Sequence, residues 1–178
     1  NDTQFFKETT LGHHVVMGRK NFESIPHKYK PLPNRVNIII TRQDNYTAKE
    51  CTVVNSIESA LEVAKKNGES EAFIIGGGQI YQLALAKNLV DKIYLTRIHS
   101  KYEGDTFFKK LNSKWIEKSR SKCTADEKHQ QGKQEIKGAD IFVIGREHPT
   151  QQTSVRAVVV MVVVVVVVDR CIRHEAYS

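Results

Sequence analysis

The chain has 178 residues, 40% of them hydrophobic and 26% charged, with a formal net charge of +7 and three cysteines. That length allows one domain with a real core, and the composition excludes disordered, collagenous and disulfide-framework classes. Ala157–Val168 is an unbroken run of twelve apolar residues, ten of them valine; as a helix it would span about 18 Å against a hydrocarbon core of about 30 Å, too short to cross a membrane.

The chain opens on Asn1-Asp2-Thr3 with neither a Met nor a basic or apolar leader, which reads as the start of a processed or partial chain without a secretory signal. Asp2 to about Thr10 reads as a short helix with Asp2 at its cap and Phe5, Phe6 and Thr9 on one side. Val15-Val16-Met17 is a strand that stops at Gly18, and Asn21–Ile25 is a helical turn closed by Pro26. Pro31–Asn34 is a loop, and the β-branched segment Arg35–Thr41 is a strand. Cys51–Val54 is a second strand; Ser56 caps a helix running through Asn67 and ended by Gly68. Ala72–Ile75 is a buried strand followed by three glycines and a helix from Gln79 to about Ala86. Lys92–Ile98 is another strand. Beyond Trp115 the signals weaken, although Ile141–Ile144 can close a sheet. Strands alternating with helices imply βαβ units and a mostly parallel sheet.

Cys51, Cys123 and Cys171 are widely spaced and form no Cys-x-x-Cys pair, which fits a reducing, cytoplasmic setting and excludes a zinc site. Residues 1–146 hold 24 bases against 17 acids, while the tail from Glu147 balances at three against three. Lys109–Lys137 carries nine bases and four acids, but Trp115 is its one aromatic. It reads as a solvated basic face, and no nucleic-acid or membrane partner is expected. The histidines do not converge: His13 and His14 are adjacent, hence point apart on a strand, and no metal spacing appears.

Three strand ends carry the pattern wanted for an anionic ligand. Gly18-Arg19-Lys20 follows the first strand, Thr41-Arg42 the second, and Gly76-Gly77-Gly78 precedes a helix. Each offers free backbone N–H groups, a hydroxyl or cations at a C-terminal strand edge, where open α/β sheets bind ligands. None matches the dinucleotide or P-loop glycine signatures. Asp2 and Phe6 stand at i and i+4, so a carboxylate and an aromatic share one helix face, suited to gripping a flat nitrogen-rich ring.

Read together, the segments Asp2-x-x-x-Phe6-Lys7, Val16-Met17-Gly18-Arg19-Lys20-x-Phe22-Glu23-Ser24-Ile25-Pro26, Lys30-Pro31-Leu32-Pro33-Asn34-Arg35-x-Asn37, Ile75–Tyr81, Tyr94–Ile98 and Gly104–Phe108 closely resemble the dihydrofolate reductase family, collinearly from Asp2 to about Trp115. The resemblance implies a three-layer α/β fold, a mostly parallel mixed central sheet flanked by helices. It also implies reduction of 7,8-dihydrofolate by NADPH, with hydride passing to C6 of the pterin and a proton to N5. Asp2 matches the family's acidic pterin residue, supported by Thr96. Phe6, Ile25 and Leu32 would wall the pterin and benzoyl rings, Lys30 lies in the same substrate segment, and Arg35 would pair with the glutamate α-carboxylate. Arg19, Lys20, Thr41 and Arg42 match the groups around the cofactor's 2′-phosphate and pyrophosphate, and Gly18 and Asn21 match positions of the same cofactor-binding segment. Ile75, Gly76, Gly77, Gly78, Gln79, Ile80 and Tyr81 match the glycine turn under the nicotinamide, where the family has a cis Gly-Gly peptide. No metal is implied, and a monomer or one part of a larger fusion is expected.

The chain also departs from the family. The family's first, central strand and mobile loop precede its acidic residue and have no counterpart here, so the reductase domain is expected over residues 1–146 with its first strand missing. Asn21 stands where Thr or Ser is usual, and Lys109 replaces a proline. Residues 147–178 read as an unrelated low-complexity tail, yet the β-propensity of Val158–Val168 suits it to the vacant central slot. Alternative readings are a folate- or nucleotide-binding remnant impaired in turnover, and a riboflavin-pathway pyrimidine reductase, which Phe6, Leu32 and Arg35 disfavour.

Overall fold

The computed structural model describes residues 2–98, 111–123, 139–146 and 156–163. The first half alternates as the hydrophobic pattern predicts: α1 (Asp2–Thr10), β1 (His14–Gly18), α2 (Arg19–Ser24), a 3-10 turn (His27–Tyr29), β2 (Val36–Ile40), β3 (Thr52–Val54), α3 (Ile57–Lys66) and β4 (Glu71–Gly76). There follow α4 (Gly78–Ala86), β5 (Lys92–Ile98), β6 (Trp115–Cys123), β7 (Ala139–Arg146) and β8 (Arg156–Val163). Helix α3 begins where Ser56 accepts the Ser59 N–H at 3.1 Å and ends at Asn67, ahead of Gly68 at φ +75°.

The eight strands form one sheet in the order β3-β2-β1-β4-β8-β5-β7-β6. All neighbours pair in parallel except β7, which runs antiparallel to β5 and β6. Alternation along the strands buries both faces, as a parallel sheet requires. Val16, Ile38 and Ile74 face Ala60, Leu61 and Ala64 of α3 and Ala84 of α4. Val15, Met17, Ile39 and Phe73 face the other way, toward Phe22 of α2 and Phe6 of α1. The result is the expected three layers.

The crossover from β4 through α4 to β5 leaves a one-strand gap, and β8 fills it, parallel to both neighbours. Ala157 and Val158 are fully buried, Ala157 in the α3–α4 cluster and Val158 in the α1–α2 cluster. A strand apolar on both faces is what a central slot takes, and without it β4 and β5 would present open ladder edges. A strand this rich in valine specifies its register weakly, because a slip of two residues returns valine to most positions on both faces. Asp91 supplies the stop: its N–H donates to the Ala157 carbonyl at 2.9 Å, and its carboxylate accepts the Ala157 N–H at 3.2 Å.

Two features differ from the sequence reading. β6 is an edge strand whose residues 116–122 are exposed and rich in Glu, Lys, Ser and Arg, so its alternation is invisible, while its charges blunt the edge. His13 precedes β1 instead of lying in it, and the two adjacent histidines therefore converge. Both imidazoles reach Glu69, His13 at 3.0 Å and His14 at 2.8 Å through Nδ1. Gly104–Phe108, Lys109, Asp126–Lys128 and residues 147–155 and 164–178 lie outside the described residues.

Candidate active site

The chain turns outward in opposite directions from β1 and β4, which are neighbours, so their C-terminal ends form the switch point of the sheet. Gly18 ends β1 there, and Met17 is in register with Gly76 of β4. Gly76 has φ +125° and joins Gly77 through a cis peptide, as the resemblance implies. The positive φ requires glycine at Gly76, and both glycines sit in tight quarters. A Cβ on Gly76 would meet Asn21 Nδ2 at 3.2 Å and the Tyr81 hydroxyl at 3.3 Å, and one on Gly18 would meet Ile80 Cγ1 at 3.1 Å. Asn21 donates to the Ile75 carbonyl at 3.3 Å, tying α2 to the glycine turn. Burial pushes the Tyr81 phenol up, which keeps it a neutral hydroxyl. Gly77 caps α4 with no side chain, leaving the Gly78 and Gln79 end of the helix open.

The cationic groups are partly committed. Arg19 Nη1 donates to both carboxylate oxygens of Glu23, at 2.9 and 2.8 Å, and its guanidinium lies 5.9 Å from the Tyr46 ring centre. Lys20 and Arg42 are exposed. Thr41 is buried, with its N–H on the Val54 carbonyl at 3.0 Å and its hydroxyl accepting the Gln43 N–H at 3.1 Å. Beside it, a cleft of about 360 Å³ is lined by Thr41, Gln43, Asp44, Val53, Val54, Asn55 and Ser59. Apart from Thr41, these residues are not marked by any sequence motif; their common position at the ends of β2 and β3 and the start of α3 is a product of the fold.

On the α1–α2 face, the three expected ring-wall residues pack against one core cluster. Phe6, Ile25 and Leu32 each pack against the core of Val15, Met17, Phe22, Ile39, Phe73 and Val158, as do Tyr94 and Ile75, the residue before the glycine turn. Arg35 is held against α1: Nε donates to Thr10 Oγ1 at 2.7 Å, Nη2 to the Lys7 carbonyl at 2.9 Å and Nη1 to the Pro33 carbonyl at 2.6 Å. Among the described residues these bonds use three of the five guanidinium N–H groups, leaving one on each terminal nitrogen for a carboxylate. Burial lowers the Arg35 pKa without threatening its charge.

Asn37, a buried amide inside an isoleucine strand, fixes this loop; its Oδ1 accepts the Leu32 N–H at 3.0 Å. Its Nδ2 donates to the Leu32 carbonyl at 2.9 Å and the Arg35 carbonyl at 3.2 Å. Its role was legible in principle, since an amide amid Val-x-Ile-Ile-Ile must have partners. The Lys30 ammonium donates to the Glu23 carbonyl at 3.0 Å and lies 5.3 Å from the Phe22 ring centre.

Thr96 is buried in β5 beside Val162 of β8. Asp2 opens α1, four residues before Phe6, and its side chain lies outside the described set. No metal-ligating cluster occurs among the described residues, and none of their helices is long and apolar enough to cross a membrane.

The sequence matches the family described as dihydrofolate reductase over residues 1–137. It is 44% identical to the dihydrofolate reductase of Staphylococcus haemolyticus over 129 residues, which is 72% of this chain and 74% of that one. With the enzyme of Bacillus subtilis it shares 41% over 130 residues, 72% and 73% of the two chains. The structure superposes on dihydrofolate reductase from Enterococcus faecalis, solved with NADP(H) and RAB-propyl, with a TM-score of 0.70 at 33% identity, covering 83% of this chain and 82% of that one.

The chain belongs to the dihydrofolate reductase family. Dihydrofolate reductases are oxidoreductases that use NADPH to reduce 7,8-dihydrofolate to 5,6,7,8-tetrahydrofolate, and the expected fold, enzyme class and cofactor all hold. The residues present fit a dinucleotide: a side-chain-free turn admits close backbone approach, a helix start lies open beside it, and a polar cleft continues along the same edge.

Proposed function

We propose that this chain reduces dihydrofolate at the C-terminal edge of the sheet, with the ring wall, Arg35 and the glycine turn acting together. The observation that carries the reading is their junction: Ile75 belongs to the same packed cluster as Phe6, Ile25 and Leu32, and Gly76 follows it directly. Substrate rings held by that wall therefore lie beside whatever the glycine turn supports.

NADPH, when bound, supplies the hydride. Gly76, Gly77, Gly78, Gln79, Ile80 and Tyr81 support its nicotinamide and diphosphate, with Gly18, Asn21 and Lys20 across the switch point. Thr41 and Arg42 hold the phosphorylated adenosine end at the cleft. Arg35 receives the substrate's glutamate α-carboxylate in its remaining fork, and Lys30 stabilises the Glu23–Pro31 loop beneath the wall. Asp2 hydrogen-bonds the pterin's 2-amino group and N3, which raises the basicity of N5 and favours its protonation through water. Thr96 supports that carboxylate from β5. The wall would exclude water and hold the substrate rings beside the bound cofactor, so that proximity supplies much of the rate.

The experiment is spectrophotometric. Purified chain should consume NADPH only when dihydrofolate is added, with tetrahydrofolate appearing in equal amount by mass spectrometry. NADPH binding without dihydrofolate-dependent consumption would favour a binding remnant and refute the proposal.

A further inference from the structure

The end of the sheet formed by β5, β7 and β6 gathers charges that the reductase reading does not use. Pairing across these strands sets Arg97 and Lys122 on either side of Asp140, and Leu95 and Arg120 on either side of Phe142. Residues paired directly across, and residues two apart in one strand, share a sheet face. The whole set therefore lies on the α3–α4 face, where Leu95 and Phe142 pack into the core. Thr96, the neighbour of Arg97 in β5, faces the other way.

On this face one phenyl ring carries two guanidinium groups, one from each neighbouring strand. Arg97 Cζ lies 5.0 Å and Arg120 Cζ 4.8 Å from the Phe142 ring centre. The ring attracts both cations and neutralises neither. Asp140 is buried and accepts from Arg120 Nη2 at 2.6 Å. Three cations thus surround one carboxylate, an excess of two positive charges. Glu117 and Lys118, further along β6, add one charge of each sign and leave that excess unchanged. Arg97 Nε is buried and has no hydrogen-bond partner among the described residues. A buried N–H of this kind costs free energy until an acceptor reaches it. Arg120 and Lys122 are exposed, so a solute can approach from the β6 side.

We propose that Arg97, Arg120 and Lys122 form a binding site for a phosphate-class dianion, held against Phe142 on the sheet face opposite Thr96. Two negative charges match the excess, and tetrahedrally arranged oxygens can meet donors from β5 and β6 at once. Guanidinium groups pair with such oxygens through short, charge-assisted hydrogen bonds. Asp140 fixes Arg120 by its hydrogen bond while its own charge opposes the anion, so it sets how tightly the site binds. The site does not depend on the reductase reading.

Titration of the full chain with inorganic phosphate, followed by NMR on the arginine Nε–H signals, tests this. Arg97→Lys identifies the Arg97 signal by its loss, which keeps the readout local to this site. Ionic strength is held constant with chloride. The Arg97 signal should move and saturate with a Kd of about 1–10 mM, the strength of a few charge-assisted hydrogen bonds set against the cost of association. Lys122→Gln, on the exposed edge strand, should raise that Kd about threefold, and Arg120→Gln about tenfold. Asp140→Asn should act with the opposite sign and lower it several-fold, because an amide still accepts the Arg120 hydrogen bond but no longer repels the anion. Glycerol 3-phosphate separates two sources of the same chemistry. Tighter binding than inorganic phosphate assigns the site to the phosphoryl group of a larger ligand, weaker binding assigns it to the free ion, and either supports the site. An Arg97 signal that stays still, or drifts without saturating, would overturn the proposal. So would a Kd indifferent to both Lys122→Gln and Asp140→Asn.

Discussion

The two ends of the sheet use polar groups in opposite ways. At the N-terminal edge they are bonded to one another: Glu69 meets both His13 and His14 and accepts the backbone N–H groups of His14, Ser70 and Glu71. Asn67 closes the set on His14 Nε2 at 2.9 Å, and Asp91 clasps Ala157 on the same edge. At the C-terminal edge, Gly76–Gly78, the open start of α4 and the Arg35 fork leave donors available for a ligand. The contrast separates roles: groups satisfied within the chain hold the strands, and groups left open do the chemistry.

The largest expected effect that sharpens this division comes from the open edge. Asp2→Asn should lower kcat by about 10²–10⁴ at neutral pH, the usual range for loss of a positioned acid–base group, with little change in unfolding midpoint. Arg35→Lys follows. A single ammonium cannot reproduce the fork, so the KM for dihydrofolate should rise about 10- to 100-fold, equivalent to about 1.5–3 kcal/mol, with the NADPH KM nearly unchanged.

At the closed edge the expected effect moves to stability. Glu69→Gln should cost about 1–3 kcal/mol in denaturant unfolding and leave kcat intact. The pH dependence has a definite sign. Burial alone would push the Glu69 carboxyl up, but hydrogen bonds from His14, His13 and the backbone of His14 and Glu71 outweigh it and hold the pKa at about 2, below its ordinary 4.5. The folded state therefore binds its proton less readily than the unfolded chain. The stability from Glu69 is complete above pH 4.5, falls as pH drops below that, and is gone below about 2. Glu69→Gln should flatten that acid limb of the stability curve. The smallest effect is expected from Asn21→Thr, which gives up one long hydrogen bond to Ile75 and should alter the NADPH KM about two- to threefold.

The open edge was far more legible in the sequence than the closed one. Glycines and cations at strand ends announce themselves locally, because turn geometry and helix starts depend on neighbouring residues. Phe6, Ile25, Leu32 and Arg35 stand out only through the family pattern, and the fold packs the first three against one core. Glu69 gave no such signal: it lies 55 residues from His14, and only the pairing of β1 with β4 makes them neighbours. β6 was hidden because an exposed edge strand has no apolar alternation to read. The seat of the described part of the valine run was legible from its composition, whereas its register was not, since most of its residues are interchangeable valines and the anchor, Asp91 on Ala157, lies far away in sequence.

The most direct test measures turnover and stability side by side on the full chain, for wild type, Asp2→Asn and Glu69→Gln. The expected result is a crossover: Asp2→Asn loses dihydrofolate-dependent NADPH oxidation while unfolding at the wild-type midpoint, and Glu69→Gln unfolds earlier while turning over at the wild-type rate. Unchanged turnover in Asp2→Asn at neutral pH, or lost turnover at wild-type stability in Glu69→Gln, would contradict the assignment of chemistry to the C-terminal edge.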